Sequence, residues 1–283
     1  LYGGTLALLR DLLPRYGVPV RFVSDSEARD PDAALAEGAR VVYLESPTNP
    51  RLGVHDLARW ARAADEAGAL MVVDNTFATP INQRPLELGA DLVIHSGTKY
   101  LGGHADLLAG VVVGARGLVD RLDATHSVLG SVLDPLAAFL LARGLRTLEL
   151  RMDRHNRNGA QVAEALAQHP KVRAVHYPGR GSAEEEKVVA RQMRGRGGMV
   201  AVEVEGGVAG AHRFLRRLRF IHPASSLGGV ESLASIPAET SHRHLTPEQL
   251  ADRGIAPGLV RLSLGIENGD DLVRDLSESL DAL

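Results

Sequence analysis

Two apolar runs constrain this chain more than anything else in it: Leu70-Met71-Val72-Val73-Asp74 and Asp91-Leu92-Val93-Ile94. Both are short and rich in β-branched residues, so each reads as a buried strand. Each also stops abruptly. The first ends in Asp74-Asn75-Thr76, the second in His95-Ser96-Gly97-Thr98-Lys99-Tyr100-Leu101-Gly102-Gly103-His104. Short strands separated by helices imply crossover connections and a mostly parallel sheet covered on both faces. In such folds ligands bind at the carboxyl ends of the strands, where these polar residues fall.

The same texture continues on either side. Val41–Glu45 and Leu107–Val113 read as further strands, and residues 55–67 as an amphipathic helix with Leu57, Trp60, Ala61 and Ala64 on one face. A helical pair, Asp134–Arg143 and Leu145–Gln168, leads away from this sheet. After His169-Pro170 the strands Val172–His176, Met199–Val204 and Leu259–Leu264 alternate with helices around 183–194, 209–217 and 271–280. Thr246-Pro247 is a helix start, a capping hydroxyl followed by proline in the first turn. The expected division is a large domain over 1–150 and a smaller α/β domain over 151–283. The acidic run Glu184–Glu186 and the basic run Arg213–Arg219 read as solvated helix faces.

Composition narrows the function. With 283 residues, 45% apolar, the chain is long enough for two cores, and a net charge of −3 gives no reason to expect nucleic acid or an anionic membrane. There is no cysteine, hence no disulfide framework and no thiolate metal site. No apolar stretch reaches eighteen residues and no signal peptide is recognisable, so the expectation is a cytoplasmic protein without a membrane partner. His95 and His104 flank the lysine, and His242 and His244 lie two apart. Without further ligands at suitable spacing these are read as structural residues, and no metal is expected.

The chemistry is carried by Lys99 and Asp74 together. Taken alone, a lysine is most often exposed and a strand-end Asp most often a cap. A lysine at an apolar strand end has its ammonium disfavoured, which frees its amine for Schiff-base chemistry. Pyridoxal phosphate needs such a lysine for its aldehyde and an acidic partner for its pyridine nitrogen. The hydroxyls of Ser96 and Thr98 are close enough in sequence to reach its phosphate.

At these residues the chain resembles the Cys/Met metabolism family of pyridoxal-phosphate enzymes, the group of cystathionine γ-synthase, cystathionine γ-lyase and methionine γ-lyase. The landmarks are Tyr2-Gly3-Gly4-Thr5, Glu45-Ser46-Pro47-Thr48-Asn49-Pro50, residues 73–80, the Lys99 run through Gly110, residues 143–148, Tyr177-Pro178-Gly179, residues 226–233 and residues 261–267. The resemblance implies the fold-type I architecture of PLP-dependent transferases, an α/β fold with a large, mostly parallel sheet domain and a smaller C-terminal α/β domain. It implies that Lys99 carries the cofactor and then moves substrate protons, and that Asp74 holds the pyridinium nitrogen. Tyr2 would stack on the ring and assist catalysis, Asn49 and Thr76 would contact the cofactor, and Ser96 and Thr98 would bind phosphate. Arg261 would take the substrate α-carboxylate, with Ser226 and Asn49 at the same end. A homo-oligomer, a dimer of dimers, is also implied.

The activity expected from the resemblance is carbon–sulfur γ-elimination from L-cystathionine, L-methionine or a related homoserine thioether, giving 2-oxobutanoate, ammonia and a thiol. The alternatives are γ-replacement by a cystathionine γ-synthase or an O-acylhomoserine sulfhydrylase and, more remotely, a non-catalytic homologue. Departures from the family pattern leave the substrate open. Ser225 stands where many cystathionine-processing members have glutamate, and Gly4 where methionine γ-lyases commonly have cysteine. The family's upstream phosphate-binding tyrosine and arginine, which reach a neighbouring subunit, precede the present Leu1; we read that segment as disordered rather than cut.

Overall fold

The computed structural model describes residues 1–243 and 245–283. The first half contains α1 (Gly3–Ala7), continued by further helical turns to Tyr16, then α2 (Pro31–Ala34), β1 (Val41–Glu45), α3 (Leu57–Glu66), β2 (Leu70–Asp74), α4 (Thr79–Asn82), β3 (Leu92–Ser96) and β4 (Gly110–Gly114). Three helices follow: α5 (Arg116–Leu129), α6 (Pro135–Leu145) and α7 (Leu148–Ala167). The second half contains β5 (Val172–His176), α8 (Ala183–Gln192), β6 (Met199–Val204), α9 (Gly207–Arg217), β7 (His222–Pro223), β8 (Leu233–Ser235), α10 (Pro247–Asp252), β9 (Leu259–Ser263) and α11 (Gly269–Asp281).

Two sheets result. The first has the order β1-β2-β3-β4, with β1, β2 and β3 parallel and β4 antiparallel to β3. The helix between β1 and β2 forms because Asp56 caps it, accepting from the Arg59 N–H at 3.2 Å, and because Leu57, Trp60, Ala61 and Ala64 line one face. That face is buried on Val42, Leu44, Met71 and Val73 of β1 and β2. The second sheet, β5-β6-β9-β8-β7, is antiparallel apart from the β7–β8 pair, and it packs under α7, α9 and α11 through Val162, Leu166, Phe214, Leu272 and Leu276. A third cluster joins the halves: Tyr100 and Leu101, next to Lys99, pack with Leu148 and Met152 of α7 and with Met199, Ala201, Leu227 and Leu259. This joint brings β9 of the second sheet up to the ends of the first.

Three sequence expectations need correction. The strand expected over Leu107–Val113 begins only at Gly110, because Ala109 is held elsewhere: its N–H donates to Thr98 Oγ1 at 3.0 Å, and its carbonyl accepts from the Thr98 N–H at 3.3 Å. The helix expected from Leu145 starts at Leu148, since α6 runs on through Leu145. The acidic run is only partly solvated: Glu185 and Glu186 are half-buried, Glu185 accepting from the Gly179 N–H and Glu186 pairing with Arg196. The Thr246 start is seen as a full capping box with Gln249. Among the described residues, no helix is long and apolar enough to cross a membrane.

Candidate active site

Register explains the placement of the polar residues. Glu45 lies opposite Asp74, and Asp74 opposite Ile94. The carboxylates of β1 and β2 therefore sit level at the sheet edge, while β3 runs two residues further and delivers Ser96 and the Lys99 turn. Parallel strands direct their carboxyl ends to one side, so three separate chain segments present functional groups to one place.

Lys99 is half-buried, and its Nζ donates to Ser226 Oγ at 2.7 Å. Burial first, and then the nearby Arg261 charge, push Lys99 below the usual lysine range. Ser226 itself has φ of 84°, a left-handed conformation uncommon for a side-chain-bearing residue, and Gly228 has φ of 75°. Gly228 admits no larger residue, because a Cβ there would lie 2.8 Å from the Tyr100 backbone nitrogen. The loop is thus pressed against the residue after Lys99. Such backbone strain is retained where surrounding structure holds it, often at functional sites.

Arg261 sits mid-way along β9 and is 4% exposed. Its Nη1 donates to Asn49 Oδ1 at 3.1 Å and its Nη2 to the Ser226 carbonyl at 3.3 Å. Burial pushes the guanidinium down to about 10, opposed by the nearby Tyr100 and Glu45, so it is charged at neutral pH. Asn49 is buried in the turn after β1, and its N–H donates to Glu45 Oε1 at 2.6 Å. The other oxygen of Glu45 accepts from the Tyr2 N–H at 2.8 Å. Lys99, Ser226, Arg261, Asn49 and Tyr2 are thereby joined in one hydrogen-bonded chain through Glu45.

Around Asp74 the partners are neutral. Its Oδ1 accepts from the Thr76 N–H at 3.0 Å and its Oδ2 from the Tyr43 hydroxyl at 3.3 Å. Thr76 Oγ1 accepts from the Ser96 N–H at 2.8 Å, tying the ends of β2 and β3 together. Thr98 uses its hydroxyl on the Ala109 backbone, donating to the carbonyl at 3.4 Å. Tyr2 is 55% exposed, its ring lying over Gly4. The neighbouring His95 is buried with Nδ1 unpartnered, and burial holds it down to about 4 although Asp74 favours its protonation. His104 Nδ1 lies 2.8 Å from the Gly102 carbonyl, and His242 Nδ1 2.9 Å from Ser241 Oγ; His244 lies outside the described residues. Among the described residues no group of three His, Asp or Glu side chains is placed to hold a metal ion.

This donor set fits pyridoxal phosphate. A carboxylate whose partners are a hydroxyl and an amide N–H has its charge free for a protonated ring nitrogen. An amine held below its usual range suits the aldehyde, and Ser96 and Thr98 bracket the turn that carries it. Two residues of the arrangement, Glu45 and Tyr43, were not picked out from sequence as site residues. Their signal was present: Val41-Val42-Tyr43-Leu44-Glu45 is an apolar run ending in a carboxylate, as Leu70–Asp74 is.

The sequence matches the family described as Cys/Met metabolism PLP-dependent enzyme over residues 1–281. It is 48% identical to the L-methionine γ-lyase of Pseudomonas putida, the alignment covering 100% of this chain and 71% of that protein. It is 40% identical to the cystathionine γ-lyase of Bacillus subtilis, covering 99% and 74% respectively. Among solved structures it superposes on cystathionine γ-synthase from Xanthomonas oryzae in complex with cystathionine with a TM-score of 0.94, at 42% identity, over 99% of this chain and 73% of that one.

Proposed function

We propose that this chain, which belongs to the Cys/Met metabolism family of pyridoxal-phosphate-dependent enzymes, is a carbon–sulfur γ-lyase acting on L-methionine, L-cystathionine or a related homoserine thioether. The observation that carries the reading is the bond from Lys99 Nζ to Ser226, whose carbonyl also holds Arg261. A proton-transferring amine and a carboxylate receptor are set side by side, the arrangement an α-amino-acid substrate requires.

Bound pyridoxal phosphate supplies an electron sink for the substrate's reacting carbons. Lys99 would hold the cofactor, Asp74 would keep its ring nitrogen protonated, Tyr2 would cover the ring, and Thr76 and Asn49 would contact it. Ser96 and Thr98 would bind its phosphate. Arg261 fixes the substrate α-carboxylate by a two-pronged ion pair, assisted by Asn49 and Ser226. With the substrate fixed, Lys99 Nζ would take the proton from Cα and give it up before taking a second from Cβ, and the sulfur expelled from Cγ would take up one proton to depart as the thiol. The same proposal divides the chain into a cofactor domain over 1–150 and a smaller domain over 151–283, a division that the two separate sheets support. A cytoplasmic location and a homotetramer are part of the same proposal. The broad apolar exposure of α5 and α6, including Val128, Leu129, Leu136 and Phe139, supports burial against another surface.

The competing reading is γ-replacement, favoured by the likeness to a γ-synthase. Incubation of the PLP-loaded protein with L-methionine or L-cystathionine alone separates the two. Release of 2-oxobutanoate is expected. Turnover only with an O-acylhomoserine and a thiol overturns the lyase reading in favour of the transferase.

A further inference from the structure

Glu45 is the most deeply placed carboxylate near the site, 6% exposed, and both its oxygens are occupied by backbone N–H groups from different segments. Its position is costly. Burial pushes its carboxyl upward; the Leu1 amino group opposes this, Asp74, opposite it in register, adds repulsion, and the N–H groups of Tyr2 and Asn49 act in the same direction as Leu1. Its charge is also felt by Arg261, which it helps keep protonated. Yet neither residue forms a direct ion pair among the described residues. A buried carboxylate that gives up direct pairing to hold two amides is arranged for geometry rather than for stability.

We infer that Glu45 is a positioning residue that sets the substrate-carboxylate receptor: by gripping the Asn49 N–H it fixes the Asn49 side chain, which in turn aims the Arg261 guanidinium, and by gripping the Tyr2 N–H it fixes the opposite wall. The inference rests on the reading of Arg261 as that receptor. Glu45 touches neither substrate nor cofactor and acts through Asn49 and Tyr2. A glutamine in its place offers one oxygen to two N–H donors, so one donor faces an NH2 group and the clamp opens on one side.

The test uses the PLP-loaded protein and glycine, an α-amino acid with no side chain to eliminate, whose binding is followed by the change in cofactor absorbance. Glu45→Gln is expected to weaken glycine binding about tenfold, the equivalent of one charge-assisted hydrogen bond. KM for L-methionine should rise alongside, with cofactor content and melting temperature little changed. In an Asn49→Ala background the same substitution should weaken glycine binding less than about threefold, because its path to Arg261 is already cut. Glu45→Asp, which keeps the charge but withdraws it by one methylene, is expected to fall in between and serves if Glu45→Gln does not fold. Unchanged glycine affinity in these variants, or full additivity with Asn49→Ala, overturns the inference. Arg261→Met distinguishes the premise: if that variant also binds glycine normally, the reading of Arg261 fails first.

Discussion

Arg261→Met separates function from stability at one position. In the folded protein Arg261 has lost nearly all contact with water, and its guanidinium is held down to about 10, a net of roughly 3 kcal/mol against the charged form after Tyr100 and Glu45 offset part of the burial. Its compensation consists of two hydrogen bonds to neutral oxygens, Asn49 Oδ1 and the Ser226 carbonyl, each contributing about 1 kcal/mol. Methionine removes the desolvation and fills much of the volume, but leaves those two acceptors without a donor at about 1–3 kcal/mol each. Against the roughly 3 kcal/mol recovered these costs total about 2–6 kcal/mol, so the unfolding free energy in urea should fall by no more than about 3 kcal/mol.

Activity should behave differently. Both prongs of the carboxylate contact disappear, each a hydrogen bond between charged groups of about 1.5–3 kcal/mol. Their loss lowers kcat/KM for L-methionine by at least about a hundredfold, converting 1.4 kcal/mol to a factor of ten. The assay pairs urea unfolding with steady-state release of 2-oxobutanoate. A variant that unfolds several kcal/mol more easily yet keeps its specificity constant would show that Arg261 is a framework residue, and the carboxylate assignment would be wrong.

The other expectations concern single groups. Lys99→Ala should abolish turnover with melting temperature nearly unchanged, and borohydride reduction of the parent should label Lys99 rather than Lys171 or Lys187; label elsewhere refutes its role. Asp74→Asn should retain measurable cofactor by absorbance while losing most of its rate, and a near-normal rate would reduce Asp74 to a turn residue. At Gly4 a Cβ would lie 2.6 Å from Tyr2 Cε1, so Gly4→Cys must displace that ring; because the ring is exposed, stability should hold while KM for methionine and cystathionine shifts unequally. Acid should destabilise the protein through His95 and His155, both held down to about 4 by burial. They are neutral when folded but protonate in the unfolded chain below about pH 6.5, so stability present at pH 7 is lost as pH falls toward 4, by about 2 kcal/mol for each at pH 5. Melting curves at pH 7 and 5 check this, and a His155→Gln variant with an equally steep loss contradicts it.

Elements whose side chains are decided by the core were legible in the sequence. The runs at Val41–Glu45, Leu70–Asp74, Val172–His176 and Met199–Val204 form strands at the expected residues; Leu70–Asp74 and Met199–Val204 are predominantly apolar and largely buried, whereas Val172–His176 is an edge strand with no fully buried residue. Helix α5 is not among the expected elements although Leu118, Leu122 and Leu129 recur at helical spacing, and none of its residues is buried. β8 is only three residues long and follows a glycine-rich loop, too short for any pattern to register. Asp74 could be found because it terminates such a strand, and Lys99 because it lies in the turn that follows one. The bond from Arg261 to Asn49 spans 212 residues, and no local spacing encodes it. Glu45 ended a strand like Asp74 but was passed over, since a carboxylate that binds backbone rather than ligand has no distinguishing neighbour in sequence.

The charges at this site are distributed in a way that a stable fold alone does not require. Each hydrophobic cluster is complete within its own half or at the Tyr100 joint, and none depends on Glu45, Arg261 or Lys99. Those three groups instead share one desolvated edge. Glu45 is pushed up and Arg261 and Lys99 are pushed down, each away from its charged form and each chiefly by burial. An incoming α-amino acid brings the missing complement for one of them, a carboxylate for Arg261. A substrate carboxylate beside Arg261 would offset part of that desolvation next to the Lys99 amine.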